Sequence, residues 1–337
     1  MWHLRDIQPG KHNCFFYWDG SKLDGDRLSQ AIDSIWSTIH FNPDRKIWLI
    51  SNTEVPEDWP NVRVTKWDDS IYSDMPNAEE WAKIYNAAHP RDRSDLIRLL
   101  LLYKYGGSYI DTDDICLRAM PSLEKENIVS RSYDPHTCHY DGWKPEDCIP
   151  GWTRGETSDF QHIPWFPRND CWYNWQPKHE LIFSVIKAGA EKPEAGINSI
   201  YTAGRTGKLS WQSLILIELK NRLHEWGKTW QSALTLIYLP ESHVAGCSYW
   251  DKGHHGGELH SIWPKSEQPW GQQEFSSLEA DTWLATALDR WPLASHLWLH
   301  DKGARVSPQW HLRAAHKTTE LMSTHIIRKI RAQIGRH

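Results

Sequence analysis

The sequence lacks several features that would assign the protein to a particular class. No segment reaches the roughly 18 consecutive apolar residues of a membrane span. The N-terminal stretch MWHLRDIQPGKHN lacks the apolar centre of a signal peptide, so we expect a cytoplasmic protein that is not translocated. Its 38 Lys and Arg residues do not outnumber its 43 Asp and Glu residues. This balance argues against general nucleic-acid binding.

The six cysteines show neither a C-x-x-C pair nor the spacing of a zinc site. We expect reduced thiols in a cytosolic protein, with a Cys138–Cys148 disulfide as the alternative. Tryptophan is abundant instead, with 22 residues. Several lie in polar stretches typical of loops, such as GWTRGETSDFQHIPWFPRNDCWYNW, where a flat aromatic face suits the C–H face of a sugar. Packing in the core is the alternative for each of them.

Short β-rich runs alternate with helical ones over the first third, which predicts an α/β fold. Strands are predicted at CFFYW, KIWLIS and VRVTKW, and helices at residues 26–41 and at AEEWAKIYNAA. A late strand is predicted at IYLP and another helix at residues 209–226. No repeat or linker is evident, so we predict a single domain over residues 1–337 with an irregular, Trp-rich insertion around residues 130–180.

The C-terminal segment HIIRKIRAQIGRH predicts a basic amphipathic helix. Its apolar stripe and the basic residues around it are Ile326, Ile327, Ile330 and Ile334, and Arg328, Lys329, Arg331 and Arg336. Such a helix can lie on an anionic membrane surface, or it can pack on its own domain.

The stretch RSDLIRLLLLYKYGGSYIDTDDI, residues 93–115, carries the chemistry. Ser94 is predicted as the N-cap of a helix that Asp95 opens and that runs to Tyr105. Gly106 or Gly107, which follow, supplies the left-handed conformation that ends it. Asp95 and Arg98 share one face of this helix, so they either pair with each other or hold one polar ligand together.

The glycines lead into SYID, which predicts a short buried strand. Side chains alternate along a strand, so Asp111 and Asp113 point the same way where it ends, and ligands bind beyond such strand ends. Two carboxylates there predict a hard divalent cation that keeps positions open for phosphate oxygens. A calcium loop of the EF-hand type fails, because Leu117 and Ser122 fall at ligand positions. A solvated acidic turn leaves the apolar strand and Arg98 unexplained.

The segment SDLIRLLLLYKYGGSYIDTDD resembles the signature S-D-x-x-R-x-x-x-L-x-x-x-G-G-x-Y-x-D-x-D of glycosyltransferase family 32 at every defined position. Relatives in that family include α-1,4-galactosyltransferases, initiating α-1,6-mannosyltransferases, capsular polysaccharide enzymes and glucosylating toxins. Weaker similarities lie at FFYWDG, NDCWYNWQPKHELI and ASHLWLHDKGA, the last of which resembles the galactosyltransferase branch.

The resemblance implies a fold of the GT-A type, with a mixed α/β sheet flanked by helices. It places a nucleotide-sugar-binding half at residues 1–120, an acceptor-side half at 121–310 and the basic helix at 311–337. The implied activity is hexose transfer from a nucleotide sugar with retention of configuration and with Mn²⁺ or Mg²⁺ as cofactor.

The resemblance also assigns site residues. Catalysis is assigned to Asp111, Asp113 and Arg98, and the metal to Asp113, Asp111 and His296. Donor binding is assigned to Asp95, Arg98, Tyr109, Asp111, Asn169 and Lys302, with Trp18 or Tyr17 stacking on uracil.

We therefore predict transfer of galactose from UDP-galactose to a glycan or glycolipid in surface polysaccharide synthesis, with GDP-mannose as an open alternative. The enzyme would be cytoplasmic, with peripheral contact to the inner membrane face through its basic helix. One other candidate is a carbohydrate-binding protein without catalysis, which a donor-hydrolysis assay distinguishes. The second is a protein-modifying glucosyltransferase, which labelled donor incubated with lysate distinguishes.

Overall fold

The structure is a computed structural model that describes part of the chain. The described residues are 2–19, 25–55, 59, 61–73, 75, 77–88, 90–112, 114–116, 118–124, 126–133, 165–191, 237–239, 274–276, 294–296 and 319–335. The chain divides into two compact units. The first comprises Met1–Lys22, Asp44–Asp111 and Pro121–Leu239, and the second comprises Leu23–Pro43, Thr112–Met120 and Pro240–His337. The single catalytic domain and its two halves stay a prediction.

The described residues of the first unit form a seven-stranded sheet with the order β3-β2-β1-β4-β7-β6-β8. Its strands are β1 (Asn13–Trp18), β2 (Lys46–Ser51), β3 (Val62–Lys66), β4 (Gly107–Ile110), β6 (Ile128–Tyr133), β7 (Trp165–Trp175) and β8 (Ile237–Leu239). Strands β3, β2, β1 and β4 run parallel, whereas β7 is antiparallel to both β4 and β6. The predicted α/β class with a mixed sheet is confirmed, as are the predicted strands at β1, β2, β3, β4 and β8.

Helices flank this sheet at α2 (Ala78–Ala87), α3 (Pro90–Tyr105) and α4 (Glu180–Glu191). Helix α3 packs on β1, β4 and α4, and its apolar residues from Leu96 to Leu102 are all buried. These apolar residues face every side of the helix, so this segment is buried all round, and each such side chain stabilises the fold by about 1.5–3 kcal/mol. The helix that carries the predicted motif is thus the centre of the core.

Two tryptophans of the Trp-rich region belong to this core. Trp172 and Trp175 lie on β7, are fully buried and contact each other with ring centroids 4.9 Å apart. The segment around them was predicted as an irregular insertion, but residues 165–175 form a strand between β4 and β6, with a shift in register against each. For these two residues the packing alternative is correct.

In the second unit, the residues that the structure describes form α1 (Gly25–Phe41), α5 (Met322–Gln333) and two small antiparallel sheets. One pairs β5 (Asp114–Cys116) with β10 (Ala294–His296), and the other pairs β9 (Glu274–Ser276) with β11 (Thr319–Leu321). Both helices were predicted, and α1 begins one residue before the predicted start.

The C-terminal helix α5 packs against α1 within this unit. Ile330 is buried, and the Arg331 guanidinium donates to the carboxylate of Asp33 at 2.7 Å. Asp33 is only 2 % exposed, so this ion pair lies at the helix contact. The structure thus favours the packed alternative for these residues, while Arg328 and Lys329 lie on the exposed side. Among the described residues, no helix is long and apolar enough to cross a membrane.

Several sequence predictions concern residues that lie outside the described ranges. These include the helix at 209–226, residues 134–164, and Cys138 and Cys148. Cys14 and Cys116 are described and buried, and neither forms a disulfide, while the redox state of the six cysteines stays a prediction.

Helix α4 begins beside a histidine that burial keeps neutral. His179 Nδ1 accepts the backbone N–H of Leu181 at 3.2 Å, and its ring edge packs against Trp175 with centroids 4.8 Å apart. Burial lowers the pKa of His179 to about 4 from an ordinary value of 6.5. An unprotonated ring nitrogen is required to accept the N–H, so protonation removes the cap as well as charging a buried group.

We expect the free energy of unfolding to fall as the pH drops from about 6.5 to about 4. In this window the unfolded chain binds a proton at His179 and the folded chain does not, and the loss has an upper limit of about 3 kcal/mol. His179→Asn retains a good capping side chain and should remove this part of the pH dependence in chemical unfolding curves. His12→Asn, at an exposed histidine, serves as the control for the removal of a histidine. Equal slopes for His179→Asn and the parent protein would contradict the assignment.

Candidate active site

The sheet contains two adjacent parallel strands, β1 and β4, from which the strand order continues toward opposite sides of the sheet. The order β3-β2-β1-β4 places β1 beside both β2 and β4, so the strand order reverses between β1 and β4. Phe15 pairs with Tyr109 and Trp18 with Ser51, so the ends of β1, β2 and β4 lie at one edge. Open α/β sheets bind ligands beyond the carboxyl ends of their strands at such a point. Trp18 is the last residue of β1, and Asp111 comes directly after β4, so the two residues lie on either side of this point.

Helix α3 reaches this edge through the predicted glycine turn. Gly106 has φ +65° and donates its N–H to the Leu102 carbonyl at 2.9 Å, and Gly107 has φ +104°. The predicted C-terminus and its mechanism are therefore confirmed. The predicted N-terminus is wrong, because the helix begins at Pro90 and not after Ser94. Proline is favoured in the first turn since it has no N–H to leave unpaired.

The correction changes the environment of Asp95. It lies in the second turn of α3, so its position there is explained by a partner and not by the helix terminus. Asp95 Oδ1 lies 3.3 Å from Arg98 Nη1, across the predicted shared face. This contact is an ion pair without an aligned hydrogen bond, because Arg98 Nη1 has no hydrogen-bond acceptor among the described residues.

Arg98 is the centre of the site. It is 1 % exposed, its Nη2 donates to Asp111 Oδ1 at 2.9 Å, and its guanidinium lies 4.5 Å from the centre of the Tyr109 ring. Burial alone lowers the pKa of Arg98, but the neighbouring carboxylates of Asp111 and Asp95, together with the Tyr109 hydroxyl, outweigh it and raise the pKa. Burial also raises the pKa of Tyr109 well above its usual value, so the stacked phenol is neutral beside a permanent cation.

The guanidinium of Arg98 is held in place by its neighbours but still has N–H groups that a ligand can bind. Within the described part of the chain, Arg98 Nε and Nη1 are buried without a hydrogen-bond partner. Asp111 is 24 % exposed while its Oδ1 is held by Arg98. A buried donor pair beside a partly exposed carboxylate can hold a polar ligand with hydroxyl groups, since the orphaned N–H groups gain most from an acceptor.

Three residues that were predicted to bind the metal or the diphosphate lie wholly or partly outside the residues that the structure describes. Asp113 and Lys302 are outside the described residues, and only the backbone of His296 is described. In the second unit β10 pairs with β5, so that His296 lies opposite Asp114, the sequence neighbour of Asp113. Among described residues, no group of three or more His, Cys, Asp or Glu could hold a metal. The chemistry of Asp111 fits a divalent cation that prefers oxygen ligands, and the rest of the metal site stays a prediction.

The backbone also places the predicted Asn169. Ile110 pairs with Cys171 in the antiparallel pair of β4 and β7. Continuing this register puts Asn169 beyond the Ile110 end of β4, the end that leads to Asp111. Its predicted role toward the sugar agrees with this position and stays a prediction.

Tyr17 and Trp18 lie at the end of β1 and are both buried. The Tyr17 hydroxyl contacts Asp19 at 3.0 Å and the Tyr85 hydroxyl at 3.1 Å, and its ring edge packs on Trp67. Burial raises the pKa of Tyr17, with Tyr85 and Asp19 adding to it. Stacking on uracil stays a prediction for either residue, and the described contacts of Tyr17 are those of a packed side chain.

Sequence reasoning missed three polar residues at the same edge. Asp19 follows β1, Asn52 follows β2, and Arg93 lies near the start of α3. Arg93 Nη1 lies 3.2 Å from Asp19 Oδ2, and the amide of Asn52 contacts Asp19 Oδ1. A signal was available, since Asp19 and Asn52 each come directly after a predicted strand of a parallel sheet.

Comparison with known proteins agrees with this site. Residues 27–131 match the family described as glycosyltransferase sugar-binding region containing DXD motif. Inositol phosphoceramide mannosyltransferase 2 of Schizosaccharomyces pombe is 34 % identical over 97 residues, which cover 25 % of this chain and 28 % of that protein. The predicted family resemblance is thus confirmed for the segment that contains α3, β4 and the two aspartates. The chain matches only about a quarter of the length of this relative.

Two solved structures are similar to this chain at low scores. PaToxG glycosyltransferase has a TM-score of 0.44 and 17 % identity over 68 % of this chain and 80 % of its own. A mutant form of a transferase has a TM-score of 0.37 and 13 % identity over 60 % of this chain and 85 % of its own. Scores this low carry no information about activity.

Proposed function

We propose that the protein is a metal-dependent retaining glycosyltransferase that transfers a hexose from a nucleotide sugar to a glycan or glycolipid in surface polysaccharide synthesis. The observation that carries this proposal is the buried Arg98–Asp111 pair beyond β4. It lies at the strand-order reversal and within the segment that matches the sugar-binding region.

The described residues suit the donor sugar. Arg98, held over Tyr109 and paired with Asp95 and Asp111, presents buried N–H groups that sugar hydroxyls can satisfy. Because the guanidinium is fixed before the ligand arrives, little ordering is needed when it binds. Asn169 would face the transferred sugar from the neighbouring strand, and Trp18 or Tyr17 would stack on the base.

The metal site would combine Asp113, Asp111 and His296, with Lys302 beside the diphosphate. Bound Mn²⁺ or Mg²⁺ supplies positive charge against the departing diphosphate. In a retaining transfer the bond from the anomeric carbon to the phosphate oxygen breaks. The acceptor oxygen bonds that carbon on the same face, and its proton passes to the departing phosphate oxygen. Cationic side chains act where negative charge develops.

Two donors are favoured by different observations. The C-terminal segment ASHLWLHDKGA resembles the galactosyltransferase branch and favours UDP-galactose. The matched relative is named as a mannosyltransferase, which favours GDP-mannose. We propose UDP-galactose as the first donor to test, with GDP-mannose beside it, and a cytoplasmic enzyme at the inner membrane face.

Asp113→Asn is expected to lower metal-dependent donor hydrolysis about 100-fold or more, because the amide keeps the size of the carboxylate but not its charge toward the cation. Purified protein is mixed with UDP-galactose, UDP-glucose or GDP-mannose in Mn²⁺ or EDTA, and released nucleotide is measured. The exposed Asp44→Asn variant is the control and should keep full turnover.

The outcomes separate the candidate functions. Mn²⁺-dependent release from one donor, lost in EDTA and in Asp113→Asn, supports the proposal and identifies the sugar. Unchanged turnover in Asp113→Asn contradicts the metal assignment. No nucleotide release, even with lysate as acceptor, together with no metal-dependent binding of UDP or GDP, indicates a carbohydrate-binding protein without catalysis. Labelled sugar found on lysate proteins indicates a protein-modifying enzyme.

A further inference from the structure

A buried carboxylate that the proposed chemistry does not use lies on the β1 side of the strand-order reversal. Asp19 follows β1 directly, and its side chain is 3 % exposed. Asn52 occupies the corresponding position after β2, since Trp18 pairs with Ser51 in the parallel register. Asp19 therefore comes directly after β1, as Asp111 comes directly after β4, and the two lie on opposite sides of the point where the strand order reverses.

Donors from three elements converge on Asp19. The Tyr17 hydroxyl donates at 3.0 Å, Arg93 Nη1 donates at 3.2 Å, and Asn52 Nδ2 donates to the second oxygen. A carboxylate only accepts, so the direction of each bond is fixed. The Tyr17 proton is committed to Asp19, and the Tyr85 hydroxyl, 3.1 Å away, must therefore donate to Tyr17.

These directions also fix the amide of Asn52. Its Nδ2 faces Asp19 and lies 3.4 Å from the Tyr85 hydroxyl oxygen, so both amide hydrogens point into the network. The reverse orientation would put Oδ1 against the carboxylate, where two acceptors repel. Asn52 Oδ1 is consequently left as a buried acceptor with no hydrogen-bond partner among the described residues. A neutral group in place of Asp19 would remove this constraint.

Helix α3 connects the two strand ends. Arg93 pairs with Asp19 beyond β1, and Arg98 pairs with Asp111 beyond β4. Both arginines belong to the same helix, so the two strand ends share one support. A change in the charge of Asp19 therefore alters one side of the edge while the Arg98–Asp111 pair stays in place.

We propose that Asp19 is a positioning residue of the donor site. Its charge holds Tyr17, Asn52 and Arg93 in the single arrangement that binds the nucleoside diphosphate part of the donor. This inference rests on the proposed function. It assigns Asp19 no contact with the reacting atoms, so binding should depend on it and the chemical step should not.

The test is Asp19→Asn, which retains the shape of the side chain and removes its charge. We expect the Kd of UDP or GDP in the presence of Mn²⁺ and the donor KM to rise about tenfold, the size of one lost hydrogen bond, while kcat stays within about twofold. Asp33→Asn is the matched control, since Asp33 is equally buried, also paired with an arginine and lies in the other unit. It should leave both constants unchanged.

Tyr85→Phe provides a second variant that keeps the Asp19–Arg93 pair and removes one hydroxyl that orients Tyr17 and Asn52. We expect a rise of about threefold in Kd, which keeps the inference testable if Asp19→Asn does not fold. Equal Kd values for wild type and either variant would overturn the inference. So would a fall in kcat with KM unchanged, or an equal effect of Asp33→Asn. Wild-type protein that binds neither UDP nor GDP would overturn the proposed function itself, and the inference with it.

Discussion

Replacing Arg98 with Met should lower the free energy of unfolding by about 2 to 4 kcal/mol and donor turnover at least about 100-fold. The side chain is 1 % exposed, and it is the cation that faces Asp111, Asp95 and the Tyr109 ring. Met fills a similar volume but leaves the Asp111 carboxylate without its donor. Loss of the guanidinium removes the charge partner of two carboxylates that are only partly exposed and therefore incompletely solvated.

Arg98→Lys separates charge from geometry. It retains the cation but loses the planar group that stacks on Tyr109 while it donates to Asp111. We expect a smaller loss of stability than in Arg98→Met and a similar loss of turnover. Chemical unfolding and donor hydrolysis measure the two effects, with the exposed Arg5→Met as control. Full turnover in Arg98→Lys would show that charge alone is sufficient at this position.

Gly107→Ala is expected to prevent accumulation of folded protein, with a cost above about 4 kcal/mol. Gly107 has φ +104°, which L-residues with a side chain rarely adopt. A Cβ there would also lie 2.8 Å from Asn13 Cβ and even closer to the Asn13 carbonyl oxygen. Asn13 begins β1, so relief would require the central strands β1 and β4 to separate.

Gly335→Ala is the matched control for this prediction. Gly335 also has a positive φ, of +70°, but a Cβ there would meet nothing within 4 Å. It should cost only the conformational term, about 1 to 2 kcal/mol. Soluble yield and thermal unfolding distinguish the two variants. Similar stability for both would show that the close approach of β1 to Gly107 contributes nothing.

Local patterns were sufficient to predict much of the sheet and the central motif. Strands β1, β2 and β3 are short β-rich runs, and the Gly106–Gly107 turn is a contiguous signal between α3 and β4. The start of α3 was wrong because Ser94 is a good cap by type, while Pro90 already begins the helix. Strand β7 was missed because its Pro, Asn and Asp residues favour a loop. Its pairing with β4, which buries Trp172, is not local.

The candidate site divides in the same way. Arg98, Tyr109 and Asp111 come from one helix–turn–strand segment, so their proximity follows from sequence spacing. The network around Asp19 draws on β1, the end of β2, α2 and the start of α3. No spacing rule brings four separate elements together, and only the shared position of Asp19 and Asn52 after strands indicated it.

The sheet order has a consequence for the order in which the chain is synthesised. Strands β1, β2 and β3 emerge from the ribosome first and can pair, and β4 then joins β1. The other side of β4 pairs with β7, which ends at Trp175, so this side stays an open edge until that residue has been made. An unpaired apolar edge is prone to association with other chains. During this interval the nascent protein already contains both aspartates of the motif, but the strand that precedes Asp111 has one unpaired edge. A chaperone that covers this edge would prevent association at this stage.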